Sequence, residues 1–146
     1  MAHDPDVLRE LLERVKAAEG PDRRLDTHLH LFMIHGVKPY AGMAASLDVH
    51  TYTLSVDAAL WLVGHALPDW WVTSGLCSLS GHASIGPDYN GPAAERLKAE
   101  FPPDRFDHGG FDADLSPGDG PHRQCYAILA CLLQALLTIQ EASDVR

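Results

Sequence analysis

Cysteine is scarce in this 146-residue chain. Cys77, Cys125 and Cys131 are odd in number and form no C-x-x-C pair, which excludes a disulfide framework and a zinc knuckle and leaves reduced thiols as the expectation. Cations are few as well: 11 Lys and Arg stand against 20 Asp and Glu, a formal charge of −9. Nucleic-acid affinity rests on clustered Lys and Arg, so direct DNA or RNA binding is not expected. An uninterrupted apolar run of roughly 18 residues, which a membrane span requires, is missing too. The start of the chain, Met1-Ala2-His3-Asp4-Pro5-Asp6, lacks the basic-then-apolar layout of a signal peptide, which points to the cytoplasm.

What the chain does hold is punctuated amphipathic helix. With 46% hydrophobic and 21% charged residues its composition is that of an ordinary globular chain, and its length suits a single domain over residues 1–146. Val7, Leu8, Leu11, Leu12, Val15 and Ala18 recur at helical spacing, predicting a helix over 5–18. Asp4 is its expected cap, Pro5 its first residue, and Gly20-Pro21 its stop through a left-handed glycine. Asp22 then caps a second helix over 22–35, with Leu25, Leu29 and Phe32 on its apolar face and Gly36 at its end; the two helices are expected to form a hairpin. Ser55 caps a third over 56–66, closed by Pro68. Aromatic and β-branched residues predict an antiparallel hairpin of 70–79 with 82–86. Segment 86–120 is rich in Gly, Pro and Asp, with a short helical piece at 93–100 and a third strand at 111–115. The last helix, 121–142, is apolar so far around its circumference that Leu129, Leu133 and Leu136 are expected between layers. Helices, then strands, then a helix, without a βαβ rhythm, describe an α+β domain with a small antiparallel sheet and about four helices.

These elements resemble a family, the phage α-β-α sandwich domain, found in phages and prophage-bearing bacteria. The resemblance is carried by the first helix ending in Gly20-Pro21-Asp22-Arg23 with Leu25-Asp26 after it, by Tyr52-Thr53-x-Ser55-x-Asp57-Ala58-Ala59-Leu60 with Val63 and Pro68, by the Trp-containing strand, and by the Ala- and Leu-rich last helix. It implies an α-β-α sandwich and a phage or prophage accessory protein in the cytoplasm of a bacterial host. It implies no activity and no site residues.

Chemical motifs are individually weak. Asp26-Thr27-His28-Leu29-His30 looks like the D-x-H-x-H opening of metal-dependent amidohydrolases, but that site needs a strand and a barrel of about 250 residues. On a helix, residues two apart diverge by about 200° and cannot share an ion. Of the nine histidines, His50, His65, His82 and His108 could converge with carboxylates, while the simpler expectation is dispersal. Asp104, Asp107, Asp112, Asp114 and Asp119 lack the ordered spacing of a calcium loop. Ser80-Gly81-His82 is no nucleophile elbow and Gly118-Asp119-Gly120 no phosphate cradle, so no cofactor, metal or catalytic residue is assigned.

A binding role is the expectation that remains, with a small metal-dependent hydrolase using His and Asp as its alternative. Consecutive strand residues face opposite sides, so Trp70 and Trp71 are both core if helices cover both faces of the sheet; if one face is open, the aromatic there is a binding anchor. Trp70, Trp71 and the acidic Asp104, Asp107, Asp112 and Asp114 are therefore the candidate contacts to another protein, one with a basic surface.

Overall fold

The first three predicted helix starts are realised by the side chains that the sequence offers, Asp4, Asp22 and Ser55. A computed structural model describes residues 3–46, 48–77, 79–106, 110–115 and 121–144. Helix α1 is Pro5–Ala17, its Asp4 cap accepting from the Asp6 amide at 2.9 Å. It ends through Ala18 in an extended conformation, and Gly20 does not take the left-handed exit expected of it. Helix α2 is Arg23–His35, and Asp22 accepts from both Arg24 and Leu25 amides at 3.0 Å. Here the left-handed exit does occur, at Gly36 with φ 68°, where the Gly36 and Val37 amides close onto Phe32 and Leu31 carbonyls. Ser55 caps α3, Val56–Ala66, through the Ala58 amide at 3.2 Å.

Strands β1 (Trp70–Leu76), β2 (Gly81–Pro87) and β3 (Phe111–Leu115) pair in chain order as an antiparallel meander. The β1–β2 turn closes with the Cys77 amide on the Ser80 carbonyl at 2.9 Å. Two short helices, α4 (Ala94–Glu100) and α5 (Pro103–Phe106), lie between β2 and β3, and α6 is Pro121–Asp144. The α+β class stands, with six helices among the described residues in place of about four because the stretch between β2 and β3 supplies two short ones.

Helix α6 is the centre of the molecule. Residues 125–133 are fully buried, with α1 and α3 against the helix and all three strands against it as well. A Cβ at Gly81 would meet the Arg123 and Gln124 backbone at 2.3–2.6 Å, so the helix crosses β2 where only glycine fits. His122–Ser143 is long and apolar enough to cross a membrane by length and composition, and 61% of that window is buried inside the fold. Its apolarity is thus taken up by packing on two sides, as the breadth of its apolar surface implies.

Two sequence expectations change. The α1–α2 hairpin is not a close helix pair, because α1 spends its apolar face on α6. The sheet is an outer layer over α6: along β2, Gly81, Ala83 and Ile85 are buried while His82 on the reverse face is exposed, as are Asp112 and Asp114 on β3. Among the described residues nothing covers that reverse face.

Candidate functional site

The Gly20-to-Asp26 segment and the Tyr52-Thr53 segment, far apart in sequence, meet in one polar hub. Asp26 is 1% exposed, accepts the Thr53 amide at 2.8 Å and faces the Arg23 guanidinium at 3.0 Å. Arg23 also donates to the Ser46 and Val49 carbonyls, at 2.8 and 3.0 Å, and Thr27 Oγ1 accepts the Ser46 amide. The Thr53 hydroxyl bridges to Asp22, and Tyr126 of α6 donates to the Gly20 carbonyl at 2.6 Å. Burial pushes the Asp26 carboxyl above its ordinary value despite the Thr53 and Arg23 donors. The hub seats Ser46, Val49 and Thr53 against α2, and its chemistry is structural.

The D-x-H-x-H motif falls on α2, as its helical reading requires, and its members separate. His28 is buried, with Arg14 2.6 Å from Nδ1. Burial first, then the Arg14 and Arg24 charges, hold its pKa below 6.5. His30 instead joins a cluster that sequence reasoning did not assemble. Its Nδ1 lies 2.7 Å from the hydroxyl of the buried Tyr52, and its ring centroid is 5.4 Å from His35 and 6.1 Å from His50. His50 packs on Trp61 at 4.6 Å, and Trp61 stacks on His65 at 5.4 Å. Burial lowers the His30 pKa, and the neighbouring His35, His50 and His65 lower it further. The helical spacing of Trp61 and His65 was the visible signal; their meeting with His30 and His50 depends on how α2, α3 and the loop pack. Among the described residues, no group of three or more His, Cys, Asp or Glu side chains is placed to hold a metal ion.

These shifts give the acid response a sign. The unfolded chain protonates its histidines near 6.5, whereas His28 and His30 resist protonation in the fold. Their stabilising contribution is therefore complete above 6.5 and is lost as pH falls through that value toward the lower folded pKa. Asp26, raised by burial, acts oppositely in the range above its ordinary 3.8. Thermal melts at about pH 7.5 and about pH 5.5 should show a lower Tm at the acid value, by a margin that shrinks in His28→Gln. A Tm that does not fall on acidification contradicts this assignment.

The candidate binding residues divide. Trp70 is buried, edge-on to Phe101 at 5.2 Å and stacked with Phe111 at 6.1 Å, so it is core and leaves the contact set. Trp71 occupies the reverse face, half-buried because its indole lies over Gly86 and Gly110, where a Cβ would come within 2.6–2.8 Å of the ring. Register places Thr73, Ser84 and Asp112 in one row and Gly75, His82 and Asp114 in the next. Ser84 donates to Asp112. Asp112 and Asp114 are both exposed and share the open face with Trp71. Asp104 is elsewhere, on α5 beside Ile139, Ala142 and Ser143 of α6. Asp107, His108 and Asp119 lie outside the described residues.

No family model, curated protein or solved structure matches this chain. The cysteines fit their expected roles: all three are free, and burial raises the Cys125 thiol to about 11 and the Cys131 thiol to about 12. Cys131 donates to the Ala83 carbonyl at 3.3 Å, tying α6 to β2.

Proposed function

We propose that this protein is a non-catalytic protein-binding module whose open sheet face receives a basic segment of another protein. The carrying observation is the conjunction of half-buried Trp71 with exposed Asp112 and Asp114 on one uncovered face. The strand rows of this face contain no Lys or Arg, so Asp112, which accepts from the Ser84 hydroxyl, and Asp114 keep their charge for an incoming cation. An aromatic platform beside two carboxylates suits Arg especially, which stacks on rings and binds carboxylates bidentately. The overall charge of −9 adds long-range attraction for such a partner and speeds its association at low salt. The resemblance to phage α-β-α sandwich proteins supports an accessory role in the cytoplasm of a bacterial host, in which the module acts by occupancy with no turnover.

A fluorescent Arg-rich peptide tests the face directly by anisotropy. Asp112→Asn with Asp114→Asn should weaken binding about fivefold to tenfold and flatten its salt dependence, since exposed ion pairs contribute up to about 1 kcal/mol each. Asp104→Asn, remote from the face, should leave it unchanged. Equal affinity for the wild type and the double variant would remove the sheet face as the docking surface.

A further inference from the structure

A cleft of about 610 Å³ lies where α1, the start of α2 and the segment after α2 meet, and it shares no residue with the sheet's open face. Its walls include Glu10, Arg14, Asp22, Arg24, His28 and Tyr40. We propose that this cleft binds a free α-amino acid with an aromatic side chain, its carboxylate on Arg14 and Arg24, its ammonium on Glu10 and Asp22, and its ring on Tyr40.

The two guanidiniums are set apart by what holds them. Arg9, Arg23 and Arg96 are each paired with a carboxylate. Among the described residues Arg14 and Arg24 make no ion pair and are aimed by neutral acceptors instead: Arg14 lies 2.6 Å from His28 Nδ1, and Arg24 donates to the Ala41 carbonyl. A guanidinium only donates, so Nδ1 is the acceptor and the imidazole is neutral. Both charges reach the buried His28 ring, so both guanidiniums stand near one point. Each keeps further N–H groups and an uncompensated charge, which is what a bidentate carboxylate requires.

The acidic residues select the rest of the ligand. Asp22 accepts the Arg24 and Leu25 amides through Oδ1 alone, and Glu10 stands one helical turn before Arg14 on α1. Two carboxylates beside two guanidiniums make this wall formally neutral, which disfavours a phosphate dianion and favours a small molecule carrying both signs. Tyr40 is 63% exposed and offers its ring to a second aromatic group. The volume falls in the range of small-molecule sites.

Phenylalanine titrated calorimetrically into the whole protein at neutral pH should show one saturable site. Phenethylamine, which lacks the carboxylate, should bind about 10–100-fold more weakly, since hydrogen bonds to a charged group are lost. Phenylpropionate, which lacks the ammonium, should lose about fivefold, and alanine, which lacks the ring, about twofold to tenfold. Arg24→Gln should weaken phenylalanine as strongly as removal of the carboxylate does. Glu10→Gln and Tyr40→Ala, both at exposed positions, should match the losses seen without ammonium and without ring. Glu95→Gln, on α4, is the control and should bind like the wild type. Circular dichroism establishes that each variant is folded. Absence of saturable heat with phenylalanine would overturn the proposal, as would undiminished affinity in Tyr40→Ala together with Glu10→Gln. Tighter binding of inorganic phosphate than of phenylalanine would do the same, because the cleft would then be a simple anion site.

Discussion

Leu133→Ala is expected to cost about 2–5 kcal/mol of folding stability, the range for a buried leucine truncated where the surroundings cannot collapse. Leu133 is fully buried in the stretch of α6 where residues on every side of the helix are inaccessible. A central helix has no solvent-facing side from which the chain could relax into the cavity, so the cost should fall in the upper half of the range. Leu137, one turn on and only partly buried, should lose less on the same truncation. Urea unfolding of the two variants checks this, and an unchanged midpoint for Leu133→Ala would displace α6 from the centre of the fold.

Asp26 should separate charge from hydrogen bonding. Asp26→Ala strands the Thr53 amide and removes the carboxylate partner of Arg23 in a buried setting. Breaking a buried pair from one side costs about 3–5 kcal/mol; Arg23 is 29% exposed and recovers part of its hydration, which lowers the expectation to about 2–3 kcal/mol. Asp26→Asn should cost far less, because the amide oxygen still accepts from Thr53 and no charge has to be buried. Burial raises the Asp26 pKa against the pull of its Thr53 and Arg23 donors, so neutralising the carboxylate is expected to be tolerated. Paired denaturation curves at neutral pH decide the matter: equal losses for Ala and Asn would mean that the ion pair, and not the hydrogen bond to Thr53, holds the loop.

Local grammar accounts for what was legible in the sequence. Asp4, Asp22 and Ser55 cap the helices they precede, Gly36 ends α2, and the apolar breadth of the last helix marks it as central. Those features depend on residues within a few positions of one another, where periodicity and capping chemistry act directly. The same locality explains the dismissal of the D-x-H-x-H motif, since helical geometry alone turns His28 and His30 to different surroundings. The exit of α1 was misplaced because Gly20 permits a left-handed turn without requiring one, and the chain had already left the helix at Ala18.

Tertiary structure decided the rest. That Trp70 is core and Trp71 lies on an open face follows from which side of the sheet α6 covers, and both residues have the same local sequence character. Asp112 and Asp114 join Trp71 through strand register, whereas Asp104 is carried away on α5. His50 comes beside His30 and Tyr52 on a loop whose backbone Arg23 and Asp26 bind, contacts between residues more than twenty positions apart. The sequence by itself determined the elements and their inward faces, through interactions one helical turn long. Which faces stayed open, and which distant side chains came together on them, was decided by packing around α6, where burial of its whole circumference left the sheet on the outside.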